Sequence, residues 1–322
     1  MVTTADSTSV LNPGRPVKLL VLGGGYSGRR LASQAARLGI PGVLSHRQPA
    51  TAPPPPPGWR RIGFDSACGL QPDPDALSGV THLISTIAPD REGRDPVLHQ
   101  LGDLLQALPL QWVGYLSTTG VYGDTGGAWV DEHSPCQARP GRSANRLACE
   151  QAWLATGLPV QVFRLPGIYG PGRTPFAALR SGSSRLLHRP SQVFCRIHVD
   201  DIGGALLHCL ALPDQQRPAL VNVSDDLPCP ASEVLGYAAH LLNCKLPPLQ
   251  RYDDASSELS PMARSFWSEC RRVRNDRLTR QLGYRLRYPT YREGLRASLA
   301  EEDGTALPLE GQPAAEGSGS AT

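Results

Sequence analysis

Along the first half of the chain, short apolar runs alternate with segments of helical pattern. Residues 17–22 predict a buried strand, 28–38 a helix and 41–45 a second strand. Further strands are predicted over 61–64, 81–87, 112–116 and 160–164, with helices over 96–108 and 144–155. Strands that alternate with helices imply a parallel sheet with helices on both faces. The expected fold is therefore α/β, a Rossmann-type doubly wound sheet of six or seven strands. Regularity ends near Gly170, where proline and loop residues multiply. A smaller C-terminal substrate lobe is expected over 170–299, with some segments returning to the first domain, 17–169. Residues 1–16 read as a polar leader, and 300–322, rich in Gly, Ala, Pro, Glu and Ser, as a disordered tail. No internal repeat is present. Residues 49–58 hold five consecutive prolines. They predict an extended loop, because proline lacks the N–H that a helix or central strand needs. That loop is expected to be a passive spacer.

Composition narrows the class. Of 322 residues, 40% are hydrophobic and 19% charged, a globular balance, and the formal net charge is +3. The only tight basic cluster is Arg271, Arg272 and Arg274, too little for a nucleic-acid face. It is either a contact for an anionic substrate or a charged surface run. Eight cysteines contain no CxxC pair and no metal-ligand spacing, so free buried thiols and no metal site are expected. No apolar run spans a bilayer and no secretory signal opens the chain. These features predict a cytoplasmic protein without membrane or nucleic-acid partners, acting on a small-molecule substrate as a monomer or homodimer.

The chemistry begins at Gly23. The apolar run 17–22 leads into Gly23-Gly24-Gly25-Tyr26-Ser27-Gly28, a GxGxxG turn that follows a strand and opens a helix. Gly23 permits the tight turn, Gly25 lets a pyrophosphate approach the backbone, and Gly28 lets the helix pack close. With the N-terminal amides of Tyr26 and Ser27, these are the candidate phosphate contacts. An acid at the end of the second strand would bind the ribose hydroxyls of NAD, but the chain has Ser45-His46-Arg47 there. Arg47 suits a 2′-phosphate, so NADP is the expected cofactor and NAD the less favoured one.

From this turn onward the chain resembles the short-chain dehydrogenase/reductase superfamily, in its extended, epimerase/dehydratase-like branch. Gly63-Phe64-Asp65 is similar to the family's adenine-contacting aspartate after the third strand. Ser117-Thr118-Thr119-Gly120-Val121-Tyr122-Gly123-Asp124 resembles its Ser/Thr-rich strand end and VYGD. Arg164-Leu165-Pro166-Gly167-Ile168-Tyr169-Gly170-Pro171-Gly172 resembles the segment beside the nicotinamide, which implies a role for Pro166. Arg196-Ile197-His198-Val199-Asp200-Asp201 and Asn275-Asp276-Arg277-Leu278 resemble the later IHVDD and closing segments. The resemblance spans about residues 17–297.

The family's YxxxK pair is missing: Arg142 stands at the tyrosine position and Arg146 at the lysine position. Arginine stays protonated, so Arg142 is no general acid or base; it is expected to stabilise negative charge, and Arg146 to donate to ribose. Thr118 retains the family's upstream hydroxyl, and Asp95 stands in place of its asparagine. Asp95 is also readable as a helix N-cap. Tyr122 is the candidate replacement acid, though readable as a core tyrosine. His133 reads as a surface residue and His198 as a structural histidine. The pattern resembles an atypical subgroup that keeps the NADP-binding turn, carries Asp for Asn and matches the catalytic motif poorly. Leu22 in the first position of the branch's usual GxxGxxG is a further departure. Two functions follow: an NADP-dependent oxidoreductase or epimerase on a carbonyl or sugar-nucleotide-like substrate, or a non-catalytic NADP-binding sensor or partner-binding module.

Overall fold

A computed structural model describes residues 16–305. The leader and nearly all of the tail expected from sequence lie outside the described residues. Seven parallel strands form the central sheet: β1 Leu19–Leu22, β2 Gly42–His46, β3 Trp59–Gly63, β4 His82–Ser85, β5 Trp112–Thr118, β7 Val160–Leu165 and β11 Leu220–Asn222. Their order across the sheet is β3-β2-β1-β4-β5-β7-β11. The order reverses between β1 and β4, and such a switch point opens a crevice at the carboxyl ends of the strands.

Both faces of the sheet are apolar because both are covered. In β1, Leu19 and Val21 pack under α1 (Tyr26–Arg37) and α5 (Val199–Ala211) with Leu31, Ala32, Ile202 and Leu206. Leu20 and Leu22 face the other way, toward α2 (Pro96–Ala107) and α3 (Arg142–Leu154), with Leu101, Leu105 and Trp153. The two-residue alternation of a strand thus feeds two cores. All six strands predicted up to residue 164 are found in the central sheet, while β11 and the short pairs outside the sheet were not predicted; α1 begins two residues earlier than its glycine-led pattern suggests.

A smaller lobe covers the carboxyl end. It contains β8 (Gly167–Tyr169), α4 (Phe176–Arg180), β9 (Leu186–His188), β10 (Arg196–His198), α6 (Ala231–Leu241), β12 (Leu249–Arg251), α7 (Tyr252–Ala255), α8 (Pro261–Trp267) and α9 (Tyr291–Glu302). Strand β6 (Trp129–Val130) pairs with β13 (Arg272–Val273). The lobe has its own core of Phe176, Leu179, Leu235, Ala238, Tyr291 and Leu295. Helix α9 runs to Glu302, past the point where the sequence suggested a tail.

Buried charges tie lobe to sheet. Asp201 at the start of α5 accepts from the Tyr284 hydroxyl at 2.9 Å and from the backbone N–H groups of Arg287 at 2.7 Å and Tyr288 at 2.9 Å. Arg30 of α1 reaches Asp200 at 2.5 Å and Glu301 of α9 at 2.6 Å. His198 lies between the rings of Tyr169 and Tyr288, with centroids at 5.2 and 4.1 Å, and caps α5 by accepting from the Asp200 N–H at 3.2 Å. It is the structural histidine its pattern suggested.

Burial pushes the His198 imidazole down to about 4, and His82 on β4 likewise to about 4. The unfolded chain takes up these protons near pH 6.5, the folded chain only near 4. The unfolded state therefore binds more protons in that window, so stability falls as pH drops through it. The denaturation midpoint is expected to decline between pH 6.5 and 4, and His198→Gln to flatten the slope. A midpoint independent of pH in that window would exclude this origin.

Candidate functional site

The glycine turn is held from both sides. The Gly23 N–H donates to Ser45 Oγ at 2.9 Å, the Gly24 N–H to Ser45 O at 2.6 Å, and Thr86 Oγ1 donates to Gly23 O at 2.9 Å. Gly23 has φ +106°, a conformation only glycine adopts freely. A Cβ on Gly28 would lie 2.1 Å from Gly23 O, so helix and turn touch through bare backbone. A Cβ on Gly25 would meet nothing within 4 Å, because it would project into the cleft. Helix α1 has no side-chain cap and no acid in its first turn. Its first N–H groups therefore have no side-chain acceptor, and the positive end of the helix dipole lies behind Gly25 at the cleft edge.

The glycines separate fold from binding. Gly25→Ala is expected to keep the melting temperature within about 2–4 °C of wild type, since φ is −76° and the Cβ has room. Its dinucleotide affinity should fall at least tenfold by blocking close approach. Gly28→Ala should lose both stability and affinity. Titration and thermal melts of the two variants check this; equal behaviour would refute it.

The cleft has a volume of about 1320 Å³ and runs over the ends of β2, β3 and β4. It gathers Gly23, Gly25, Arg47 and Asp65, as the sequence suggested. Arg47 is exposed, and no described residue pairs with it. Asp65 uses one carboxylate oxygen to accept from the Ala67 N–H at 3.0 Å. The Tyr26 side chain turns away: its hydroxyl donates to Pro171 O at 3.1 Å and its ring packs beneath Arg173 at 4.3 Å. Its side chain thus braces the lobe, leaving only its backbone near the turn. Ser27, Gly28 and Pro166 do not line the cleft either. Arg91, His99 and Gln100 do, and so do Thr51, Ala52 and Pro53 of the proline-rich loop.

Past the cleft, Arg146 on α3 donates through Nη1 to Ile87 O at 2.9 Å, Tyr115 Oη at 3.1 Å and Leu116 O at 3.2 Å. It locks the ends of β4 and β5 together, while Nε and Nη2 have no partner among the described residues. Thr118 ends β5 and accepts from the Gly120 N–H at 3.1 Å. A Cβ on Gly120 would lie 2.5 Å from Ser143 Oγ and 3.3 Å from Thr118 Oγ1. Two hydroxyls, from β5 and α3, therefore converge beside the turn. Arg142 is exposed at the start of α3. Among the described residues, no group of three His, Cys, Asp or Glu is placed to hold a metal, and no helix is long and apolar enough to cross a membrane.

No protein-family model and no curated protein matches the chain. Solved structures do. A functionally unknown conserved protein from Silicibacter pomeroyi DSS is 45% identical, with a TM-score of 0.79, over 88% of this chain and 99% of that one. A candidate NAD-dependent epimerase/dehydratase from Methylobacillus flagellatus is 26% identical, with a TM-score of 0.67, over 89% and 99%. A human epimerase family protein solved with NADPH is 20% identical, with a TM-score of 0.67, over 88% and 99%. The chain belongs to the family of the Silicibacter pomeroyi protein. Its fold is that of an epimerase/dehydratase-like short-chain dehydrogenase/reductase.

Within this epimerase-like fold, two of the residues expected to handle protons serve the fold instead. Asp95 Oδ1 caps α2 by accepting from the N–H groups of Val97 at 2.9 Å and Leu98 at 3.0 Å, and Oδ2 accepts from the Trp153 indole at 2.9 Å. The capping reading holds: both oxygens are taken, and Asp95 does not line the cleft. Tyr122 is fully buried, donates to Asn222 Oδ1 at 2.8 Å and lies under the Arg164 guanidinium at 4.8 Å. Burial pushes its hydroxyl up to about 12, so it keeps its proton in the core. The arginine cluster is committed too: Arg271 to Gly123 O and Glu269, Arg272 to Gly127 O, and Arg274 to the Trp129 ring and Asp276. Free thiols are confirmed among the described residues, but Cys68 and Cys244 are exposed rather than buried. His133 is exposed and meets Arg277. Sequence reasoning missed Ser143, whose only signal was a hydroxyl beside Arg142 in the first turn of α3.

Proposed function

We propose that the protein is an NADP-dependent oxidoreductase or epimerase acting on a carbonyl or sugar-nucleotide-like substrate. The observation that carries this reading is the cleft itself: open space at Gly25 of the glycine turn and the unpaired Arg47 line one cavity. Structural neighbours solved with NADPH or with NAD support a nicotinamide cofactor, and Arg47 is what favours NADP. Gly25 and the first amides of α1 would hold the pyrophosphate, Arg47 the 2′-phosphate and Asp65 the adenine. Arg146 has Nε and Nη2 left for the ribose hydroxyls. The cofactor supplies reversible hydride transfer when bound. The chain supplies orientation through the Thr118 and Ser143 hydroxyls, and Arg142 supplies fixed positive charge. A hydroxyl relays a proton rather than storing one, so turnover should be slow, since a general acid is worth typically 10²–10⁴-fold.

The commitment of Asp95 and Tyr122 favours a second reading, a non-catalytic NADP-binding sensor. A screen for NADPH oxidation and NADP reduction over carbonyl and sugar-nucleotide panels tests the two. Hydride transfer lost in Thr118→Val and Ser143→Ala supports the enzyme. Micromolar NADPH binding with no transfer to any substrate supports the sensor.

A further inference from the structure

We propose that the loop between β2 and β3 is a prebuilt wall of the adenosine end of the cleft, with Gln48, Thr51, Ala52 and Pro53 facing the ligand and the prolines behind them acting as a strut. The proposal rests on the dinucleotide reading above.

Strands β2 and β3 are parallel, from Gly42 paired with Trp59 to His46 paired with Gly63. The chain must therefore travel back the full length of a strand before β3 can start, a task usually given to a helix. Here residues 47–58 do it with no helix. Residues 53–56 lie outside any helix or turn and, at the ~3.1 Å per residue of polyproline, would span about 12 Å. Strand β3 has five residues and spans about 16 Å, at ~3.3 Å each. The strut therefore covers most of the length of the strand it runs back along.

Both ends are fastened. After the strut, the Trp59 N–H donates to Pro56 O at 3.1 Å, the Gly42 N–H to Gly58 O at 3.4 Å, and the Trp59 indole to Ile40 O at 2.9 Å. Before it, the loop makes one turn, with the Ala52 N–H donating to Gln48 O at 3.2 Å. Arg61 of β3 then clamps this turn, donating through Nη1 to Ala52 O and to Pro53 O. Thr51, Ala52 and Pro53 are thereby fixed along the cleft beside Arg47 and Gln48.

A passive spacer needs neither the clamp nor the facing residues. A flexible loop at this position would have to be ordered by the ligand, at about 1–2 kcal/mol per residue of backbone entropy. Proline restricts the free chain beforehand, so little is left to lose on binding. The wall also sets how much space lies beyond the ribose 2′ position, next to Arg47.

The test compares wild type, Ala52→Trp, Arg61→Ala, and a strut variant carrying Pro54→Gly, Pro55→Ser and Pro56→Gly. Calorimetric titration with NADPH, NADH and 2′,5′-ADP reads binding, and thermal melts read folding. Ala52→Trp should weaken NADPH and 2′,5′-ADP about tenfold with an unchanged melt, since the indole enters the cleft. The strut variant and Arg61→Ala should weaken both ligands severalfold. Wild type that binds NADPH, with Ala52→Trp and the strut variant within twofold of it, overturns the wall. Wild type that binds none of the three ligands overturns the dinucleotide reading instead.

Discussion

Glu150→Gln is expected to lower stability by about 3–5 kcal/mol, the usual cost of stranding one partner of a buried ion pair. Glu150 of α3 and Arg164 of β7 are both almost fully buried and meet in a fork, Nη2 to Oε2 at 2.7 Å and Nε to Oε1 at 3.1 Å. Ser117 of β5 adds a short hydrogen bond to Oε1. One carboxylate therefore joins two neighbouring strands to the helix that carries Arg142, Ser143 and Arg146. Gln cannot neutralise the guanidinium, which stays charged. In a domain of this size each kcal/mol moves the melting temperature by roughly 2–4 °C, so a fall on the order of 10 °C is expected. Removing both charges, as Glu150→Leu with Arg164→Met, should recover most of the loss, because neither ion is then left alone. A thermal melt and a double-mutant cycle measure both. Single variants that melt with wild type would show that the pair contributes nothing.

Arg47→Glu is expected to weaken NADPH by about 1.5–3 kcal/mol, the worth of a hydrogen bond to a charged group, or ~10- to 150-fold. Repulsion between carboxylate and 2′-phosphate adds to the loss. NADH should bind no worse, because a carboxylate at this strand end accepts from ribose hydroxyls. The residue is exposed and unpaired, so the fold should not notice the change. Titration of both cofactors against wild type and variant is decisive. A wild type that binds NADH and NADPH equally, or a variant that keeps its preference, would remove Arg47 from the site.

The glycine turn and the cleft beside it were legible because their parts are local. Gly23, Gly25 and Gly28 lie within six residues of one another, and their meaning depends only on the strand before and the helix after. Arg47 was legible for the same reason, since it ends the next strand. What sequence did not show there is where the Tyr26 side chain goes: its hydroxyl belongs to the lobe through Pro171 O. The proline loop was located correctly, but its clamp by Arg61 and its residues along the cleft are contacts across strands that sequence does not display.

By itself, then, the sequence determined the alternation of strands and helices, the parallel sheet, the phosphate turn and the loss of the tyrosine–lysine pair. These follow from period, from residue type and from neighbours within a few positions. The tertiary structure alone decided which polar residues were free for chemistry. Asp95 is held by Trp153, 58 residues away, and Tyr122 by Asn222, 100 residues away. A hydrogen-bonding group has a limited number of donors and acceptors, and once distant partners fill them it serves the fold. Thr118 and Ser143 converge for the complementary reason: the first turn of α3 folds back against the end of β5 and brings two unremarkable hydroxyls to one point.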